Sequence, residues 1–197
     1  MAELTNLSDL ILDKNQLIGT IPDIFSKNGV TTMNLRQFSM SYNHLHGRVP
    51  TSIWNISSLQ KLAFDVNKLS GELPDTIFLN FQNLDLFYMG SNRFNSSIPS
   101  IGAQYLTNME SFSLGQNELT GTIPSAMKYW KKLRLLDLGG NNLRGEIPSF
   151  LGNLTNLETL ILDGNELTGV VPESFQQLTR LSKYGAETVI VLYFYLD

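Results

Sequence analysis

The 197-residue chain contains no cysteine and only two histidines. Without cysteine there is no disulfide, no thiolate metal ligand and no thiol nucleophile. His44 and His46 flank Leu45 in Asn43-His-Leu-His-Gly47. A metal or acid–base centre needs further converging ligands, so both are expected as solvent-exposed loop residues. No G-x-S-x-G nucleophile element is present, and no G-x-G-x-x-G, H-R-D or D-F-G kinase signature. Charge is scarce as well: 14 basic against 18 acidic residues leave a net charge of −4. That balance argues against nucleic-acid binding, which needs a concentrated basic patch. The basic-aromatic stretch Lys128-Tyr-Trp-Lys-Lys-Leu-Arg134 reads instead as a solvated outer segment. The longest apolar run, Val189 to Leu196, has eight residues, far short of the ~20 that span a bilayer as a helix.

What is present is periodic. The seven prolines stand at Pro22, Pro50, Pro74, Pro99, Pro124, Pro148 and Pro172, at intervals of 28, 24, 25, 25, 24 and 24 residues. Seven residues before each is an asparagine: Asn15, Asn43, Asn67, Asn92, Asn117, Asn141 and Asn165. Leu or Phe follows two residues later, and glycine two after that, except at Ser96. Upstream of each asparagine, apolar residues keep one frame, as in Leu157-x-x-Leu160-x-Leu162-x-x-Asn165. Its last two apolar positions alternate with polar ones, which predicts a short strand buried on one face. A period of this size marks a solenoid. Each asparagine is expected to satisfy backbone groups of the turn and, in register, to form a ladder between coils. The glycine permits a bend, and the aliphatic-Pro pair an extended segment.

This frame resembles the plant-type leucine-rich repeat, L-x-x-L-x-L-x-x-N-x-L-x-G-x-I-P, best between Leu133 and Pro148. The resemblance runs from about Leu4 to Leu181. It implies an α/β repeat solenoid: a right-handed superhelix with a parallel sheet on its concave face and short helical or 3-10 turns on its convex side. Residues 1–181 are expected to form about seven coils, and 182–197 a degenerate eighth repeat with an apolar tail. Continuing the frame there meets Tyr184, Ala186 and Val189 where two apolar residues and an asparagine are expected. Proteins with this consensus carry secretion signals and cysteine-bearing caps, neither of which this chain shows, so it reads as a partial receptor ectodomain.

The variable strand residues point to the concave face. One column is Ile11, Ser39, Ala63, Tyr88, Ser113, Asp137 and Ile161; the next is Asp13, Ser41, Asp65, Gly90, Gly115, Gly139 and Asp163. A third includes Gln37, Lys61, Leu86, Ser111, Leu135 and Thr159, with Arg36 just ahead of it. The candidate ligand-binding set is Asp13, Arg36, Ser39, Lys61, Asp65, Leu86, Tyr88, Ser113, Asp137, Ile161 and Asp163. Tyr88 beside Leu86, flanked by Asp65, is its centre, because aromatic anchors in polar surroundings suit binding hot spots. Gly90, Gly115 and Gly139 either let a ligand backbone approach closely or relieve crowding on a curved sheet. N-x-S/T sequons at Asn6, Asn55, Asn95 and Asn153 are compatible with glycosylation in the secretory pathway. Three of them fall where the repeat itself favours N-L-T or N-I-S.

The resemblance implies a non-enzymatic module without cofactor or metal: part of a plant receptor-like kinase ectodomain in immune or developmental signalling. Its partners would be a peptide or protein ligand and a co-receptor kinase with its own leucine-rich-repeat ectodomain, not nucleic acid. The parent family acts at the extracellular face of the plasma membrane, and no part of this chain is expected to insert. A secreted inhibitor of a cell-wall-degrading enzyme, or a truncated scaffold, are the alternatives.

Overall fold

The computed structural model describes residues 6–23, 26–27, 30–31 and 34–181. The expected degenerate repeat at 182–197, with its apolar tail, lies outside them. Alternation within each frame makes the central residue of every strand face inward, and the seven strands stack in register. They run Asp9–Ile11, Gln37–Ser39, Lys61–Ala63, Leu86–Tyr88, Ser111–Ser113, Leu135–Asp137 and Thr159–Ile161, all parallel. We number the coils 1 to 7 in this order. The paired central residues Leu10, Phe38, Leu62, Phe87, Phe112, Leu136 and Leu160 form one column of the core.

The asparagines form the expected ladder. In coil 6, Asn141 Nδ2 donates to Leu138 O and to Leu114 O of the preceding coil, both at 3.1 Å. Its Oδ1 accepts the Leu119 N–H at 3.0 Å. Coils 2 to 7 repeat this set, whereas the side chain of the exposed Asn15 bonds within its own turn, at 3.1 Å to Leu12 O and Asp13 O. Two side-chain functions thus join adjacent coils where the backbone turns away from the sheet. No buried side-chain nitrogen or oxygen among the described residues lacks a partner.

Beyond the asparagine, six coils turn through a glycine with φ between 81° and 93°. Side chains disfavour that region, so glycine is required there. Ser96 is absent from the positive-φ residues; its hydroxyl instead accepts the Leu73 N–H at 3.1 Å and donates to Ser97 O at 2.9 Å. The extended segments after the asparagines pair laterally into a second, interrupted set of strands. Ile18–Gly19, His44–Gly47, Lys68–Gly71 and Arg93–Phe94 form a four-stranded sheet, and Arg144–Glu146 pairs with Glu166–Thr168. Coil 5 adds only the bridge between Ser97 and Thr120. His44 and His46 are exposed, as expected, but lie on a strand of this sheet and not in a loop.

The convex side is built from 3-10 turns, with no α-helix among the described residues. The first interval is longer than the others, and an antiparallel pair, Ser26–Lys27 with Val30–Thr31, stands there in place of a turn. Aromatic rings fill the space behind the sheet. Phe87 stacks on Phe112 at 5.4 Å between centroids, and Phe112 meets Trp130 at 4.9 Å. Trp130 is fully buried and its indole N–H donates to Ala103 O at 2.7 Å. The stretch around it is therefore solvated only in part: Lys128, Lys131 and Lys132 face outward, while Trp130 and Leu133 belong to the core.

Candidate functional site

Strand alternation aims the variable residues away from the core, and two adjoining hollows form on the concave sheet. The first, of about 320 Å³, spans coils 1 to 4 and is lined by Ile11, Asp13, Ser39, Lys61, Leu86 and Tyr88, among others. The second, of about 300 Å³, runs toward coil 7 past Gly90, Ser113, Gly115, Asp137 and Ile161. Tyr42, Asp65 and Tyr88 line both. A phenol on each side of a carboxylate is thus the wall between the two hollows.

The carboxylates are held by the sheet itself. Ser39 Oγ donates to Asp13, and the Ser41 N–H donates to Asp13 Oδ1 at 2.7 Å. Ser41 Oγ donates to Asp65 Oδ2 at 3.1 Å, and the Gly90 N–H to Asp65 Oδ1 at 3.1 Å. Ser113 Oγ donates to Asp137 Oδ2 at 2.9 Å, and the Gly139 N–H to Asp137 Oδ1 at 3.1 Å. Burial pushes the Asp65 carboxyl up from 3.8 to about 6; the bonds from Ser41 and Gly90 oppose the shift, and Asp13 adds to it. Burial likewise raises Asp137 against the same kinds of bond, with Asp163 adding to the rise.

Two of the three glycines of this face, Gly115 and Gly139, have a structural reason. A Cβ at Gly115 would stand 2.5 Å from Asp137 Oδ1, and one at Gly139 2.8 Å from Asp163 Oδ1. The space a side chain would use is filled by the aspartate of the next coil. Asp163 lies over Gly139 and lines neither hollow. Arg36 is exposed ahead of its strand and also lines neither, because it is out of phase with the outward column.

The sequence reading left Tyr42 and Lys14 out of the site. Both precede a ladder asparagine and have positive φ, 57° and 53°, as do Val66, Ser91, Gln116, Gly140 and Gly164 in the same column. The left-handed backbone turns these side chains onto the concave face, with Lys14 Nζ 5.9 Å from the centre of the Tyr42 ring. Gly140 and Gly164 in the same frame position were the available signal.

Asn6, Asn55, Asn95 and Asn153 are all exposed. Asn55 and Asn153 end 3-10 turns on the convex side, and Asn95 follows a lateral strand. No group of three or more His, Cys, Asp or Glu that could hold a metal occurs among the described residues. None of their helices is long and apolar enough to cross a membrane.

A register-locked stack of short parallel strands, an asparagine ladder and convex 3-10 turns define a leucine-rich-repeat solenoid. The family model for the Leucine Rich Repeat matches residues 6–28, 34–56, 132–154 and 156–178, and the chain is similar to plant leucine-rich-repeat receptor proteins. It is similar to Receptor-like protein 31 of Arabidopsis thaliana, 35% identical over 95 residues, which are 48% of this chain and 11% of that protein. Among solved structures it resembles the Arabidopsis receptor kinase HAESA, crystallised with the peptide hormone IDA and the co-receptor SERK1. The TM-score is 0.75 at 31% identity, covering 87% of this chain and 28% of that one. The PEPR1–AtPEP1 structure gives a TM-score of 0.76 at 28% identity, covering 88% of this chain and 24% of that one. The matches thus span 11% or less of the curated relatives.

Proposed function

We propose that this chain is a recognition module without catalytic activity of its own, part of a plant receptor-like ectodomain that captures a peptide or protein on its concave face. The carrying observation is the wall of Tyr42, Asp65 and Tyr88 between the two hollows. Two aromatic anchors beside a desolvated carboxylate offer area and direction to an extended ligand. The complex of HAESA with a peptide hormone, and the peptide hormone receptor RGFR1 in complex with RGF2, both named so in their structures, support the reading. Co-receptor recruitment and display at the outer face of the plasma membrane follow by the same analogy. Exposure of the four sequons is compatible with that location.

The test is selection of short peptides from a random display library on the full chain, followed by retesting on Tyr88→Ala and Tyr42→Ala. Selected peptides should lose about tenfold or more in affinity on either variant, as truncated hot spots do, while the melting temperature holds. Peptides that bind both variants as tightly as the parent would move the site off this wall.

A further inference from the structure

The lateral strands differ in electrostatics between the two ends of the solenoid. In coils 6 and 7, Arg144 Nε meets Glu166 Oε2 at 2.7 Å across paired strands, so this small sheet pairs its basic side chain with a carboxylate. The four-stranded sheet of coils 1 to 4 does not. His46 stands directly opposite Lys68 in register. The stem of Arg48 crosses the Lys68 strand, its Cγ 2.9 Å from where a Cβ on Gly71 would be. Arg93 is opposite Ser70, one strand further on. His44, His46, Arg48, Lys68 and Arg93 are all exposed, and neither ion pair found among the described residues includes any of them. The carboxylates of Glu72 and Glu118 border this group without pairing to it. Arg48, Lys68 and Arg93 thus stand on or beside three adjacent strands without a carboxylate partner, which leaves positive charge for an anion from outside to neutralise. At the coil 1 edge Ile18, 79% exposed, lies opposite His44 and adds an apolar contact.

We propose that this lateral sheet docks an acidic segment of a partner protein, with carboxylates over Arg48, Lys68 and Arg93 and an apolar side chain on Ile18. Neighbouring strands lie about 4.8 Å apart, so an extended segment laid across coils 1 to 4 meets these side chains one strand after another. The chain carries a net charge of −4, so attraction for an acidic partner has to be local to this surface. The exposed isoleucine favours a protein over an acidic polysaccharide. Lys14 and Lys61 line the first concave hollow, whereas Arg48, Lys68 and Arg93 line neither hollow, so this surface stands apart from the peptide site.

The probe is a fluorescein-labelled synthetic peptide of alternating glutamates with one leucine, titrated by anisotropy against the full chain. Saturable binding is expected, weakening as ionic strength rises to about 0.15 M. The pair Arg48→Glu and Lys68→Glu should lower affinity about tenfold or more, because it replaces attraction by repulsion. The pair Lys131→Glu and Lys132→Glu makes the same charge change on the convex side and should cost less than about twofold, as screened distant charges do. If charge reversal prevents folding, Arg48→Gln with Lys68→Gln should still cost about threefold. Absence of saturable binding, or equal losses from the lateral and convex pairs, would overturn the proposal. So would polygalacturonate binding more tightly than the peptide per carboxylate, which would assign the surface to a polysaccharide.

Discussion

The Phe94 N–H donates to Asn117 Oδ1 at 3.0 Å, so the backbone of coil 4 is held by a buried side chain of coil 5. The same asparagine donates to Met89 O and Leu114 O, both at 3.0 Å. One carboxamide therefore satisfies three backbone groups that the turn leaves without a strand partner, and it does so in two coils at once.

Asn117→Ala should accordingly cost about 2–4 kcal/mol, since it strands a buried N–H and two carbonyls. Asn15→Ala, at an exposed residue with two bonds inside its own turn, should cost less than about 1 kcal/mol. Urea denaturation of both variants checks the contrast, and equal losses would show that the ladder contributes no inter-coil stability.

Asp65 makes stability depend on pH. Its carboxyl titrates near 6 in the folded chain and near 3.8 when exposed. Between those values the native state holds a proton that the unfolded chain has released. This contribution is full below the lower value and is lost as pH rises through about 6. Relative to Asp65→Asn, which keeps an acceptor for the Gly90 N–H, the parent should lose up to about 3 kcal/mol between about pH 4 and pH 7. Denaturant melts of the two proteins at several pH values measure it. A parent-minus-variant difference that stays constant with pH would sink the assignment.

Gly152 and Gly19 are expected to respond differently to alanine. A Cβ at Gly152 would lie 2.4 Å from the Ser174 backbone of the next turn, whereas at Gly19 nothing lies within 4 Å and only the φ of 86° resists. Gly152→Ala should cost about 3 kcal/mol by overpacking, and Gly19→Ala about 1 kcal/mol through the backbone alone. Thermal melts that rank them in the opposite order would mean the coil 7 turn gives way freely.

Trp130→Phe removes the indole N–H from Ala103 O and leaves a gap beside Phe112. A loss of about 2–4 kcal/mol is expected, combining an orphaned carbonyl with a cavity. Arg134→Ala breaks an ion pair whose partners are 57% and 42% exposed, so it should cost less than about 1 kcal/mol. Comparable losses from the two would contradict the burial of the aromatic spine.

Much of the architecture was legible because each frame position has one physical role. Leu160 and Leu162 alternate with Ile161, which sets the strand and the outward face; Asn165 ends it; Gly169 bends the chain. The candidate site was legible only where it follows that alternation, as at Tyr88 and Asp65. Tyr42 escaped because its side-chain direction comes from a left-handed backbone, which periodicity does not encode. Arg36 was included although its phase takes it out of the hollows.

By itself the sequence determined the strand phase, the asparagine ladder and the glycine bends, since these are local consequences of spacing and side-chain chemistry. Tertiary structure alone decided what lies beside what. It set Asp65 between two phenols, placed Asp137 in the space left by Gly115, and faced His46 with Lys68 across two coils. Those neighbours come from coils more than 20 residues apart, and only stacking in register brings them together.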